Sequence, residues 1–280
     1  MLLILALCGL YFLGVNAWLV ANLAVFSLAL KEYINFTKQK SKLNYTILQL
    51  ILILLIIFPY IFANHISGAK FLESYFVFFT VFALLLFIFF YGSVLKLCKK
   101  RFKKRNKLGS RTSFELNSFV LLYIGFFPAH LFYLLAMDAK FLILALLTTI
   151  SSDSAAYLFG KTLGKHKVLP KTSPQKTMEG SIAALLVGAV SFTSLYLWIT
   201  AKFYLLDSPK ILYPILSGLF LAFIAQLGDY YESLLKRCFL VKNSGDMLAA
   251  HGGILDRIDS HCLVLAFTYV ILVVFHHLNL

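Results

Sequence analysis

Apolar runs of about 20 residues recur along the chain, broken by short polar loops, and few folds can accommodate so many of them. Inside a hydrocarbon core about 30 Å thick a backbone has no water to bond to, so a crossing segment satisfies its own amides, as a helix or a closed barrel does. Barrel strands would alternate in polarity over roughly 10 residues. These runs are continuously apolar instead, which predicts an all-α, polytopic integral membrane protein. Eight membrane-spanning helices are expected, at 8–30, 45–63, 71–95, 116–136, 140–160, 180–201, 211–235 and 262–279. Gly9, Gly14, Asn16 and Asn22 interrupt the first run, Leu2 to Leu30, so two short or re-entrant helices are an alternative there. Composition agrees: 60% of residues are hydrophobic, 28 are Phe and only 14% are charged, against about one quarter charged in soluble domains.

The formal net charge of +14 would suit a nucleic-acid binder, but its distribution points elsewhere. Of the 26 Lys and Arg, all except Lys70, Lys140, Lys202 and Lys210 fall in alternate loops, on one side of the expected bundle. Basic loops stay in the cytoplasm, so both termini are expected outside and no nucleic-acid partner is implied. The run "KLCKKRFKKRNKLGSR", Lys96 to Arg111, also suits anionic membrane lipids. No basic residue precedes Lys31, and the first apolar run is too long for a typical cleaved signal, so it reads as a retained membrane segment. Cys8, Cys98, Cys238 and Cys262 lack the paired spacing of a zinc or redox site and read as plain apolar residues. One continuous membrane domain is expected, with N-terminal helices and basic loops over 1–115 and the chemistry over 116–280.

The 12 Asp and Glu carry most of the functional information. Asp153 and Asp229 each lie inside a predicted helix, about six or seven residues from its cytoplasmic end. At roughly 1.5 Å per residue, both sit about 10 Å below the same membrane face. A carboxylate at that depth costs a few kcal/mol unless it faces a cavity, a partner or an ion. Pairing with a lysine is the plain explanation. However, Asp229, Glu232, Ser233 and Lys236 follow i, i+3, i+4, i+7 spacing and form a polar stripe, as on a helix lining a cavity.

Asp256 and Asp259 form a second pair, at the entrance of the last helix. If winding begins at or before Asp256, the two carboxylates point the same way and Arg257 points elsewhere. They also suit the positive end of a helix dipole. Gly252 and Gly253, beside His251, read as a tight turn, a close backbone approach to a ligand, or a plain bend. The loop "KTLGKHKVLPKTSPQKTMEG", Lys161 to Gly180, adds cations on the same face. Within it Ser173 followed by Pro174 reads as an N-cap with proline at the first helical position, beside Lys176, a helix start suited to an anion such as phosphate. Carboxylates with clustered Lys and Arg suit a magnesium nucleotide, because Mg²⁺ takes one or two carboxylates together with phosphate oxygens. No Walker A sequence, zinc-protease motif or nucleophile elbow is present.

These residues resemble the closing signature of the phosphatidate cytidylyltransferases: S-x-x-K-R, then K-D, then H-G-G-x-x-D-R-x-D. The chain reads Ser233, Lys236, Arg237, Lys242, His251, Gly252, Gly253, Asp256, Arg257 and Asp259. Upstream, "QLGDYYESLLKR", "SPQKTMEG" and "DSAAYLFGK" resemble further motifs of that family. The chain departs from the pattern at Asn243, where Asp is usual, and at Asp246, where Asn is common. It departs also at Ala155, Gln175, Met178, Ala249 and Ala250. The motifs lie roughly between 150 and 260, and the first 115 residues match only in being hydrophobic and basic by turns.

The resemblance implies transfer of the cytidylyl group from CTP to phosphatidic acid, giving CDP-diacylglycerol and pyrophosphate in phospholipid biosynthesis. Chain length and the absence of a eukaryotic-style soluble extension lead to the expectation of a bacterial inner membrane, and the basic loops to that of an active site facing the cytoplasm. Asp229 and Asp256 would be the ligands of Mg²⁺, or of two cations, with Asp259 assisting, and with Lys236 and Arg237 these make the catalytic set. Lys176, Arg237, Lys242 and Arg257 would hold the triphosphate or the departing pyrophosphate, while His251, Gly252 and Gly253 shape the nucleotide loop. Asp153, Ser173, Glu179 and Ser233 complete the substrate-binding set. A CTP-dependent polyprenol or phytol kinase would use similar logic but move the γ-phosphoryl group to an alcohol. A cation transporter could use Asp153 and Asp229 as a path, although the ionisable residues crowd one face. A homodimer is compatible with the sequence, which sets no oligomeric state.

Overall fold

The computed structural model describes residues 15–37, 51, 80, 82–88, 91–92, 110–169, 173–245, 252–278 and 280. The chain divides into two compact units, Met1–Ala139 with Leu235–Ile258, and Lys140–Leu234 with Asp259–Leu280.

In the first unit, α1 (Val15–Thr37) precedes α2 (Ser110–Leu121), which runs into a π turn at Leu122–Phe126, a 3-10 turn at Pro128–His130 and α3 (Leu131–Met137). Pro128 explains the change of winding. It has no N–H and its ring excludes a regular i−4 carbonyl, so the helix widens just before it, with Phe127 N–H donating to Leu122 O at 3.1 Å. His130 Nδ1 lies 3.1 Å from both Phe126 O and Phe127 O, so this nitrogen carries the proton. Nε2 then accepts from Thr80 Oγ1 at 2.8 Å. Around this break the core is aromatic. Phe87 stacks on Phe119 at 4.6 Å and meets Phe127 edge-on at 5.3 Å. Tyr33 OH donates to Asn117 Oδ1 at 2.9 Å.

In the second unit, α4 (Ala139–Thr162) leads to an antiparallel hairpin of β1 (Lys167–Leu169) and β2 (Ser173–Thr177). Then come α5 (Met178–Thr200), 3-10 turns at Phe203–Asp207 and Pro209–Ile211, α6 (Leu212–Cys238) and α7 (Leu255–His277). The last turn of α6, from Leu235, and the first turn of α7, to Ile258, belong to the first unit. Ile182, Leu186 and Val190 are exposed along one face of α5, whereas Ala184, Gly188 and Phe192 are buried on another. An apolar outer face suits lipid. The inner face packs by small residues: a Cβ on Gly218 would stand 2.7 Å from Ala189 Cα, so the two backbones approach closely.

Among the described residues five helical segments are long and apolar enough to cross a membrane: Leu116–Met137, Ala139–Thr162, Met178–Thr200, Pro209–Cys238 and Leu255–His277. The class is all-α, and the chain is an integral membrane protein, with the hairpin as the one sheet among the described residues. Two expected boundaries are corrected. The final helix starts at Leu255, not 262, because Asp256 in its first turn accepts the Gly253 N–H at 2.9 Å and so belongs to the helix start. The first described helix runs on to Thr37, past the expected end at 30, and carries Lys31 and Glu32 within it, while residues 8–14 of the expected span lie outside the described residues. The expected spans at 45–63 and 71–95, and the alternative of two short helices before residue 15, lie largely outside the described residues. Cys262 is a buried free thiol, as expected of an apolar residue, but Cys238 is disulfide-bonded.

Candidate active site

In the second unit a cavity of about 230 Å³ opens between α4, β2, α5 and α6, and its lining includes Asp153, Tyr157, Ser173, Lys176, Gln226 and Asp229. The hairpin brings the cation in. β2 holds Lys176 extended, so that its Nζ meets Asp229 Oδ2 at 2.9 Å, with the two side chains 29% and 25% exposed. From α4, Asp153 Oδ2 accepts from Ser260 Oγ of α7 at 2.9 Å. Gln226, one turn before Asp229, is anchored by donation to Ser181 O at 3.2 Å. Asp153 and Asp229 line the same cavity, where two like charges disfavour each other. Lys176 offsets that repulsion, and a bound cation would do the same.

The expected cap at Ser173 is overturned. Ser173 and Pro174 lie in β2, and the helix begins at Met178 with Thr177 as its N-cap. Thr177 has extended dihedrals, φ −119° and ψ 155°, and its Oγ1 accepts the Gly180 N–H at 3.2 Å. Pro174 is tolerated because a two-stranded sheet has only edge strands. Gly180 is required by proximity, since a Cβ there would lie 2.6 Å from Ala156 O. Glu179 faces away from the cavity lining, accepting from Lys165 N at 3.1 Å and meeting His166 Nδ1 at 2.7 Å, which clasps the base of the hairpin to the start of α5.

The first unit holds a second cluster. Lys236 Nζ, on the last turns of α6, meets Asp256 Oδ1 at 2.6 Å, with side chains 12% and 14% exposed. Asp256 Oδ2 also accepts Ser244 N at 3.0 Å and Gly253 N at 2.9 Å. Gly252 has φ +80°, a left-handed conformation that other residues adopt only with strain. A Cβ on Gly253 would collide with Ser244 Oγ and the Glu32 carboxylate. Glu32, 3% exposed, accepts from Ser244 Oγ at 2.8 Å, Ile254 N at 2.9 Å and Leu255 N at 3.0 Å.

Of the residues singled out in the sequence, Asp153, Ser173, Lys176 and Asp229 therefore meet at one cavity, and Lys236, Gly252, Gly253 and Asp256 meet at one turn. Arg237 donates to Val241 O at 3.0 Å, closing the C-terminus of α6. Ser233 is half-buried on α6, Lys242 and Arg257 are exposed, and Asp259 Oδ1 accepts from Ser260 N at 2.9 Å. His251 and Asp246 lie outside the described residues. Sequence reasoning passed over Gln226, Ser260, Ser244 and Glu32. Only Glu32 left a readable signal, being the sole carboxylate before Glu73.

Among the described residues no three His, Cys, Asp or Glu side chains converge as a metal cage. Mg²⁺ needs no such cage, since it takes one or two protein carboxylates and completes its octahedron with phosphate and water. The donor set of the cavity, two carboxylates facing one space beside an ammonium, fits that requirement.

These features define a helical membrane protein in which carboxylates paired with lysines lie toward the ends of long apolar helices. The sequence model of the Cytidylyltransferase family matches residues 1–275, and the chain belongs to that family. It is similar to the protein named phosphatidate cytidylyltransferase in Bacillus subtilis (strain 168), 46% identical over 125 residues, covering 45% of this chain and 44% of that protein. Proteins of the same name are similar in Staphylococcus haemolyticus (strain JCSC1435), 36% identical over 167 residues, 59% of this chain and 62% of that one, and in Staphylococcus aureus (strain COL), 42% over 134 residues, 48% and 49%. The chain spans about half the length of the curated relatives it matches.

Proposed function

We propose that this chain transfers the cytidylyl group from CTP to phosphatidic acid, releasing pyrophosphate and forming CDP-diacylglycerol for phospholipid biosynthesis. The observation that carries the reading is the cavity where Lys176 and Asp229 pair beside Asp153. It is supported by relatives named for this activity. A phosphatidic acid oxygen attacks the α-phosphorus of CTP, and the bond from that phosphorus to the bridging oxygen of the β-phosphate breaks. The attacking phosphate monoester is already largely anionic at neutral pH, with a second pKa near 6, so little general-base help is needed. The barrier is the approach of anion to anion, and positioning with charge neutralisation lowers it.

When bound, Mg²⁺ would neutralise phosphate charge and polarise the α-phosphoryl group, held by Asp229 with Asp153 beside it. Lys176 would move from Asp229 onto a phosphate oxygen, a role supported by its partly exposed pairing. A cavity of about 230 Å³ is below the roughly 300–1,000 Å³ of pockets for drug-sized ligands, so it suits a phosphate group with its cation, not a whole nucleotide. In the other cluster, Asp256 is the proposed ligand for a cation, with Lys236 as its neutralising partner and Gly252 and Gly253 presenting backbone to the nucleotide. Arg237, Lys242 and Arg257 are proposed to draw in the triphosphate, with Asp259 assisting Asp256. The basic loops favour eight spans and a site facing the cytoplasm of a bacterial inner membrane.

The test supplies purified protein in lipid with Mg²⁺, phosphatidic acid and CTP labelled separately at the α and γ phosphates. Label entering lipid from the α position alone is expected. Entry from γ alone would make the protein a kinase, and entry from neither would sink the proposal.

A further inference from the structure

Glu32 lies within α1, a largely apolar helix in which Lys31 is the other charged residue, and is 3% exposed. A carboxylate so placed is unfavourable unless donors surround it. Here three do: Ser244 Oγ, Ile254 N and Leu255 N, at 2.8, 2.9 and 3.0 Å. Ile254 and Leu255 bring backbone amides from the start of α7, groups that have no partner within the helix itself. Two glycines close the cage, since a Cβ on Gly245 would stand 2.9 Å from Glu32 Oε1, and one on Gly253 would strike the same carboxylate. Ser244 serves both acids of the cluster: its hydroxyl donates to Glu32 and its backbone N–H to Asp256. Glu32 and Asp256 thus grip the same two stretches of chain, Ser244 and the turn at 253–255.

We propose that Glu32 is a positioning residue for the turn that carries Gly252, Gly253 and Asp256, and through that turn for nucleotide turnover. The second half of this statement rests on the function proposed above. Glu32 itself reaches the reaction only through the backbone it holds. A purely structural role would change how much protein folds and leave the kinetics of each folded molecule intact. A positioning role changes those kinetics.

The experiment compares the full chain, in lipid nanodiscs, with Glu32→Gln, which keeps the volume but leaves an amide NH₂ facing a backbone donor, and with Glu32→Asp, which keeps the charge. Hydrogen exchange is followed in peptides covering 252–258 and, as a control, 182–198 of α5. In parallel kcat, KM for CTP and the Mg²⁺ midpoint are measured per folded molecule. For Glu32→Gln, faster exchange in 252–258 alone is expected, with a 10–100-fold loss of kcat/KM for CTP, the range usual for residues that orient ligands. Glu32→Asp should recover part of both. Unchanged exchange at 252–258 overturns the proposal, as does faster exchange with kcat and KM unaltered. If the wild type shows no turnover with CTP and phosphatidic acid, the proposed function falls, while the exchange data still decide whether Glu32 holds the turn. Should Glu32→Gln fail to fold, Ser244→Ala removes one donor and should shift both readouts less, in the same direction; no shift in either would again overturn the proposal.

Discussion

Two lysine–aspartate pairs occupy contrasting surroundings. Lys176 and Asp229 meet between a strand and a helix, side chains 29% and 25% exposed, at the lining of a cavity. Lys236 and Asp256 are 12% and 14% exposed, and Asp256 is held as well by the Ser244 and Gly253 amides. The first pair can separate at little cost and let each partner bind something else. The second is built into the backbone that surrounds it. The same ion pair is thus partly open to solvent in one place and tied to backbone amides in the other.

The largest expected effect falls on turnover. Asp229→Asn should abolish incorporation of α-labelled CTP into lipid while the melting temperature hardly moves, since a partly exposed pair contributes about 0–1 kcal/mol. Chelating Mg²⁺ should abolish the same incorporation reversibly, with no loss of helical circular dichroism. Asp256→Asn should abolish turnover too, but it should also destabilise, because its carboxylate holds the Ser244 and Gly253 amides and a hydrogen bond to a charged group is worth about 1.5–3 kcal/mol. Equal melting temperatures for the two Asn variants would erase the contrast. Gly252→Ala should cost about 1–2 kcal/mol from its left-handed backbone alone, and more from the added Cβ 2.7 Å from Asp256 Oδ2. Thermal unfolding of this variant checks it. The smallest effect is Thr177→Ala, about 1 kcal/mol for a lost cap, whereas Ser173→Ala should leave stability unchanged, which would confirm where α5 begins.

Much of the fold was legible because span length is a local property. The runs at 116–136, 140–160, 180–201 and 211–235 reappear within helices that differ at their ends by only a few residues. The last helix begins earlier than its apolar run, because Asp256 and Asp259 look like loop residues until the donors for their carboxylates are known. Ser173 and Thr177 are both good capping residues, and only strand pairing of Ser173 with Leu169 decided between them. At the site, Asp153 and Asp229 stood out as charges in apolar helices. Gln226 and Ser260 are ordinary polar residues whose roles depend on what faces them.

Membrane insertion, helical class and the carboxylates worth watching follow from the sequence by itself, because the cost of charge and of unpaired amides in hydrocarbon acts residue by residue. Which acid holds which partner was decided by the tertiary structure. Glu32 and Ser244 are 212 positions apart, and no local preference links them. Only packing α1 against the turn before α7 supplies the buried carboxylate with its donors and those amides with an acceptor.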